Sequence, residues 1–150
     1  MRFMLMLKGD PGNPHDEQAG TATQPDNELV AAMIRYNEEL VAAGVLVSAE
    51  GLLASGVSGK RVAYQRGRRK VIDGPFAEAK ELVAGFYILD VPSMDDAVEW
   101  AHKCPVEYAC SGDAEAVIEI RQIASLEDID GASEENRAAE RELREKLVGS

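Results

Sequence analysis

The sequence predicts an α+β fold of ferredoxin-like βαββαβ order, with a β-hairpin insertion and a C-terminal helix. Three observations support this class. Four apolar runs have the length of strands, two stretches repeat their apolar residues at the helical period, and a basic segment with a central turn follows the second strand. With 150 residues, 45% of them hydrophobic, the chain can bury the core of one domain.

The first strand is predicted over residues 2–8, RFMLMLK. A short apolar run of this kind favours a strand buried on both faces over a helix. Residues 9–23 follow without any periodicity. A loop of this length is usually functional or disordered, so it is either a lid over a site or a frayed connector.

The first helix is marked at both ends. A capping box of Thr23 and Asp26 predicts its start, and Gly44 predicts its end. The second strand opens at Val45 and runs toward Glu50. The apolar stripe of the helix contains Leu29, Met33, Tyr36 and Leu40.

A hairpin is predicted over residues 60–73, with its turn at Gly67. Six of the sixteen basic residues lie here, although the chain as a whole is acidic. This positive charge is either a solvated hairpin tip or a patch for an anion or an acidic partner. The sharp turn of Asp73 to Phe76 then leads into one predicted helical turn over residues 77–81.

The second half of the unit repeats the strand–helix–strand order. A strand is predicted over residues 82–91, where Gly85 lets another backbone approach closely. The second helix starts at a capping box of Ser93 and Asp96, and the last strand covers residues 116–123. Strands that are apolar on both faces need a cover on the face without helices. A second copy of the sheet is the simplest cover, which predicts a face-to-face homodimer.

The composition changes after residue 125, which predicts a domain over residues 1–125 and a charged helical tail over residues 126–150. The tail has eight acidic and four basic side chains and no aromatic residue. Oppositely charged side chains recur four residues apart along it, Glu140 with Arg144 and Glu142 with Lys146. Its apolar area is too small for independent stability, so it packs on the domain, embraces a second subunit or stays partly frayed.

The net charge of −11 argues against binding nucleic acid through a basic face, because phosphates would be repelled. No apolar run reaches the roughly 18 residues of a membrane span, and the first run is too short for a signal peptide. Cys104 and Cys110 form neither a disulfide framework nor a C-x-x-C pair. These features predict a cytoplasmic protein without membrane contact.

No phosphate-binding glycine loop, nucleophile elbow or H-E-x-x-H motif occurs in the sequence, and no metal or cofactor is expected. Charged side chains at strand ends and turns remain as site candidates. Asp73 and Glu50 are the candidate acid–base carboxylates. The candidate ligand-binding residues are Glu78, Lys80, Tyr36, Glu119 and Arg121. Asp73 is alternatively a turn former and helix cap. Glu119 with Arg121 is alternatively a ladder or interface pair.

The run VIDGPFAEAKE over residues 71–81, followed by Gly85-Phe86 and Cys104-Pro105, is similar to the DGPF branch of the YCII-related family. The similarity covers about residues 1–124. It implies a ferredoxin-like fold in a dimeric α+β barrel.

The same resemblance implies two kinds of activity. Some relatives act on small aromatic-derived compounds, and a His–Asp pair is a proposed site in the wider family. This sequence has Tyr36 and Asn37 in the region of the first helix where that histidine would be sought. Relatives in the DGPF branch are also linked with alternative sigma factors.

The sequence is therefore consistent with two alternative functions. The first is a small-molecule barrel, in which Asp73 and Glu50 perform acid–base chemistry while Lys80 or Arg121 holds an anionic group. The second is a non-catalytic regulatory protein that contacts a protein partner through the basic hairpin or the tail, linked to sigma-factor-dependent transcription. The sequence favours the first.

Overall fold

An antiparallel four-stranded sheet is the centre of the computed structural model, which describes residues 1–10, 27–78, 81–109 and 115–149. Its strands are β1 (Arg2–Lys8), β2 (Leu46–Gly51), β5 (Val83–Asp90) and β6 (Ile118–Gln122). A two-stranded sheet pairs β3 (Lys60–Gln65) with β4 (Arg68–Asp73). The helices are α1 (Asn27–Ala42), α2 (Ser55–Ser58), α3 (Met94–Lys103) and α4 (Glu134–Val148).

The large sheet has the strand order β2-β5-β1-β6, and all neighbouring strands are antiparallel. The chain enters α1 between β1 and β2, and α3 between β5 and β6. This is the ferredoxin-like arrangement, so the predicted α+β class is confirmed.

One face of the large sheet packs against α1 and α3 and forms the core. Phe3 and Leu5 of β1 lie beside Leu89 and Tyr87 of β5, and each of the four is at most 4% exposed. Leu40 of α1 is fully buried in the same cluster. Burying one such side chain contributes about 1.5–3 kcal/mol, so this face holds the helices on the sheet.

The second face of the sheet carries rows of side chains set by the strand register. Met6 pairs with Phe86 on one side and with Glu119 on the other, and Met4 pairs with Ile88 in the next row. These methionines are half-buried, whereas Phe3 and Leu5 on the other face are buried. Within one chain, the first strand is therefore fully buried on one face only.

The helix start and stop residues predicted from the sequence are confirmed at the helix ends that the structure describes. Gly44 has a φ of +71°, as a left-handed helix stop requires. The Ser93 hydroxyl accepts a 3.1 Å hydrogen bond from the Asp96 amide, which confirms the cap of α3. The capping box predicted for α1 and most of the loop predicted over residues 9–23 lie outside the described residues.

The hairpin of β3 and β4 has the predicted turn. Arg66 and Gly67 both have positive φ, at 51° and 77°, which is typical of a type I′ turn. Every residue of both strands is exposed. The hairpin thus projects from the domain as an arm.

Short helical segments occur at connections where the sequence does not predict them. They are α2 and the 3-10 turns over Val106–Ala109 and Leu126–Asp128. Such segments are too short to show a period. The helical turn predicted over residues 77–81 includes Ala79 and Lys80, which lie outside the described residues.

The tail forms α4, and its two predicted ion pairs are present, at 2.5 Å for Glu140–Arg144 and 2.7 Å for Glu142–Lys146. None of its described residues is buried. Arg141 joins the helix to the preceding turn through Glu127, at 3.0 Å. The tail therefore packs mainly against the turn that precedes it.

Candidate functional site

A cleft of about 400 Å³ opens between α1 and the part of the sheet formed by β2 and β5. Its walls are mostly apolar. The apolar side chains include Leu29, Met33 and Ile34 from α1, and Leu7, Leu52 and Val106 from other elements. Clefts of this size and lining are typical of sites for small organic ligands.

Two glycines that pair across β2 and β5 help to leave this space empty. Gly51 lies opposite Gly85 in the strand register, and both line the cleft. A Cβ at residue 85 would lie 2.9 Å from the Glu50 carbonyl oxygen, whereas a Cβ at residue 51 would meet nothing within 4 Å. The close backbone approach predicted at Gly85 is confirmed.

Three polar residues line the otherwise apolar cleft: Asn37, Tyr87 and Glu50. The Tyr87 hydroxyl donates a 2.9 Å hydrogen bond to Oδ1 of Asn37, which joins the sheet to α1. Glu50 is exposed near the end of β2 and pairs with Phe86 in the strand register, so its side chain leaves the sheet on the second face, opposite to α1. A few polar groups in an apolar cleft orient a ligand, and a carboxylate among them can also transfer a proton.

A second tyrosine, Tyr36, packs against Tyr87 on the core side of the cleft wall. The rings of Tyr36 and Tyr87 meet edge to face, with 5.4 Å between their centroids. The Tyr36 hydroxyl donates a 2.9 Å hydrogen bond to the Trp100 carbonyl oxygen. Burial, and secondarily the nearby Cys104 thiol, raises the pKa of both phenols. Both tyrosines are therefore neutral hydrogen-bond donors rather than bases at ordinary pH.

Cys104 is the C-cap residue of α3 and belongs to the core cluster. It is 3% exposed. Burial, with a smaller contribution from Glu107, raises the pKa of its thiol to about 12. It is therefore a poor nucleophile, while Cys110 lies outside the described residues.

A buried polar junction joins three segments near the end of β1. Oδ1 of Asp10, which is 2% exposed, accepts a 2.6 Å hydrogen bond from the Ser55 amide, and Oδ2 accepts from the Ser55 hydroxyl. The Ser55 hydroxyl oxygen in turn accepts a 3.1 Å bond from the Phe76 amide. A Cβ on Gly74 would lie 2.0 Å from the Ser55 carbonyl oxygen. The glycine of the DGPF turn is therefore fixed by packing.

The structure separates the two predicted acid–base residues. Glu50 lines the cleft, whereas Asp73 lies at the end of β4 and forms an ion pair with Lys60. The side chains of this pair are 74% and 66% exposed, respectively. Glu78 is also exposed, and Lys80 lies outside the described residues.

The remaining predicted ligand residues lie away from the cleft lining. Tyr36 is 3% exposed and belongs to the core cluster. Glu119 and Arg121 lie on β6, opposite Met6 and Met4, and their side chains approach to 3.4 Å. Both residues therefore lie on the second face of the sheet, away from the cleft lining.

Sequence reasoning does not assign Asn37, Tyr87, Asp10 or Ser55 to any site. Asn37 carries a weak signal, because it lies four residues after Met33 and thus interrupts an apolar helical stripe with an amide. Tyr87 lies at a core position of its strand, where an aromatic residue is expected for packing alone. The pairing of Asp10 with Ser55 joins residues 45 positions apart and has no local signature.

Metal clusters and membrane-spanning helices are both absent from residues 1–10, 27–78, 81–109 and 115–149. No group of three or more His, Cys, Asp or Glu side chains there could hold a metal ion. No helix there is long and apolar enough to cross a membrane.

Comparison with known proteins agrees with this architecture. The family model for the YCII-related domain matches residues 1–127. An uncharacterized protein of Rhizobium meliloti (strain 1021) is 30% identical over 89 residues, which cover 58% of this chain and 71% of that protein. The family model thus spans the whole βαββαβ unit, the hairpin and the residues that line the cleft. The chain therefore belongs to the YCII-related family.

Proposed function

We propose that the chain binds a small, largely apolar organic molecule in the cleft between α1 and the β2–β5 part of the sheet, and that it acts on this molecule by carboxylate acid–base chemistry. The cleft is the observation that carries the proposal. Its volume of about 400 Å³ lies within the range of small-molecule sites, and its polar residues are few.

The chemical nature of the ligand is inferred from the side chains that line the cleft. The side chains of Leu29, Met33 and Ile34 favour a hydrocarbon or aromatic body. The Asn37 amide oxygen already accepts from Tyr87, so its nitrogen is the group left to donate to an acceptor on the ligand.

Glu50 is the first choice for the acid–base residue, because it is the predicted carboxylate among the residues that line the cleft. Its side chain leaves β2 on the second face, so it would meet a ligand at the open end of the cleft rather than at the α1 wall. General catalysis by a carboxylate needs the group within hydrogen-bond reach of the transferred proton. Asp73 is kept as the second candidate, with Lys80 or Arg121 as the group that holds an anionic part of a substrate. Replacing each carboxylate separately distinguishes the two roles.

The proposal includes a homodimer in which the second faces of two sheets meet. Met4, Met6, Phe86 and Ile88 form half-buried apolar rows on this face. Glu119 and Arg121 border these rows on β6 and would pair at the rim of such an interface. Light scattering on the full chain tests this part, since a monomer at micromolar concentration would exclude it.

A thermal-shift screen with small aromatic and aliphatic compounds tests the ligand proposal. A ligand at about 100 times its Kd is expected to raise Tm by roughly 5 °C or more. Glu50→Gln should reduce the shift or abolish turnover of the compound found, and Asp73→Asn tests the second candidate in the same way. Glu38→Gln, at an exposed carboxylate of α1 that does not line the cleft, is the matched control. No response of the wild-type chain to any compound class would contradict the proposal.

A second candidate function is a non-catalytic interaction protein, which the exposed basic hairpin favours. In that case a partner protein should be recovered from a lysate of the source cell by the full chain. Loss of this partner after deletion of residues 126–150 would assign the contact to the tail.

A further inference from the structure

Two polar side chains on the core side of the cleft leave one hydrogen-bond donor for a ligand. Asn37 is half-buried, and Oδ1 of its amide accepts the 2.9 Å bond from the Tyr87 hydroxyl. Tyr87 is 4% exposed and belongs to the core cluster, so this pair lies where the cleft meets the core. A phenol has one proton to donate, and here it is directed to Asn37. The Nδ2 group of Asn37 is therefore the donor that the pair leaves for a ligand.

The described lining of the cleft offers no cation to an anionic ligand. Among the described residues that line it, none is a lysine, an arginine or a histidine, and Glu50 is the one with a charged side chain. Glu50 is itself a carboxylate, and the chain as a whole has a net charge of −11. A carboxylate placed against the apolar walls would lose hydration without gaining an ion pair. Anionic ligands are therefore disfavoured.

A cationic head group is also poorly matched to the core side of the cleft. An ammonium group has donors only, and Nδ2 of Asn37 is a donor as well, while Oδ1 is already engaged. Glu50 would pair with an ammonium at the open end of the cleft, where it is exposed and an ion pair contributes little. An uncharged oxygen acceptor, such as a ketone or ester carbonyl, needs one donor, and Asn37 supplies it.

We infer that the cleft selects an uncharged ligand with a carbonyl-type oxygen, and that Asn37 is the residue that determines this selection. The inference rests on the proposed function, because it assigns a ligand class to the same cleft. The apolar walls hold the body of the ligand, and Asn37 reads its head group. Tyr87 is a positioning residue, because its hydroxyl keeps Oδ1 of Asn37 turned toward β5 and leaves Nδ2 for the ligand.

Asn37→Asp is the sharpest change for testing this selection. It keeps an oxygen that accepts from the Tyr87 hydroxyl, but it replaces the amide donor by a second acceptor with a negative charge. The matched control is Asn136→Asp, which adds the same charge at an exposed residue of α4 that does not line the cleft. Tyr87→Phe is a second variant, which keeps the test decisive if Asn37→Asp fails to fold.

Four probes with one ring system and different head groups are titrated by NMR into the full chain and its variants. They are 2-acetylnaphthalene, 2-ethylnaphthalene, 2-naphthoate and 2-(aminomethyl)naphthalene. We expect the wild-type chain to bind the ketone about tenfold more tightly than the ethyl compound or the carboxylate, because the ketone alone gains the hydrogen bond without a buried charge. Asn37→Asp should weaken ketone binding about tenfold and make the amine the tightest probe.

Tyr87→Phe should narrow the difference between ketone and amine, because the amide of Asn37 is then free to turn, and Asn136→Asp should leave the ranking unchanged.

Three results would overturn the inference while binding in the cleft stands, as shown by loss of binding in Gly51→Leu. The first is a carboxylate that binds at least as tightly as the ketone, which would favour the anion-holding role of Lys80 or Arg121. The others are a ranking that neither Asn37→Asp nor Tyr87→Phe changes, and equal effects of Asn37→Asp and Asn136→Asp. If no probe binds the wild-type chain, or binding persists in Gly51→Leu, the proposed function of the cleft is wrong as well.

Discussion

The Tyr87 hydroxyl donates a 2.9 Å hydrogen bond to Oδ1 of Asn37, and this bond joins the central strand β5 to the helix that walls the cleft. Two elements far apart in sequence are thereby held at a fixed spacing beside the candidate site. The bond also sets the amide orientation of Asn37, because a phenol donates to the amide oxygen.

Tyr87→Phe should lower the free energy of unfolding by about 1 kcal/mol and weaken ligand binding, because it removes one part-buried hydrogen bond and frees the Asn37 amide. Tyr36→Phe is the matched control. It removes the 2.9 Å bond to the Trp100 carbonyl oxygen, but Tyr36 does not line the cleft. Urea unfolding and ligand titration of both variants check this. Equal effects of the two on binding would refute the role of the Asn37–Tyr87 bond.

Gly51→Leu should block the cleft while the chain still folds. A Cβ at residue 51 meets nothing within 4 Å, so the new side chain can occupy the cleft without a backbone clash. The thermal shift caused by any cleft ligand should be lost. Gly131→Leu, where a Cβ likewise meets nothing within 4 Å and which does not line the cleft, should keep that shift. A ligand that still stabilises Gly51→Leu would bind elsewhere.

Asp10→Ala should lower the free energy of unfolding by about 3 kcal/mol, because it leaves the buried Ser55 amide without its acceptor. Asp73→Ala should cost less than about 1 kcal/mol, because its ion pair with Lys60 is largely exposed. Chemical denaturation of the two variants gives the comparison. Similar losses for both would mean that the junction at Asp10 does not hold the DGPF turn.

Cys104 should resist thiol reagents in the folded chain. Its thiol pKa, raised by burial to about 12, leaves almost no thiolate at pH 8. A Cys110→Ser variant should therefore react with a maleimide only after unfolding. Since the folded pKa exceeds the unfolded value, this thiol favours the folded state below pH 9, and its contribution is lost as the pH rises toward 12. Rapid labelling of the native variant at pH 8 would contradict this.

Local sequence signals predicted most of the fold, because helix caps, turn residues and the spacing of apolar residues each depend on a short stretch of the chain. The Ser93 cap of α3, the left-handed Gly44 and the turn at Gly67 each depend on a few neighbouring residues, and the structure confirms them. The strand order was also accessible, since few topologies fit a βαββαβ chain.

The candidate site was harder to predict from the sequence, because its residues are distant along the chain and come together only in the folded structure. Of the predicted acid–base pair, Glu50 lines the cleft while Asp73 pairs with Lys60 on the hairpin. Asn37 and Tyr87 are 50 residues apart in sequence, and neither alone differs from an ordinary helix or strand residue. No spacing rule links such positions.

The two glycines that face each other across β2 and β5 differ in their freedom to change. Residue 85 is constrained by a backbone oxygen 2.9 Å from where its Cβ would be, whereas residue 51 has open space before it. Ligand size can therefore be selected at one position without altering the strand pairing. A methyl group at residue 51 would exclude the bulkiest compounds, and a larger side chain would close the cleft to all but the smallest.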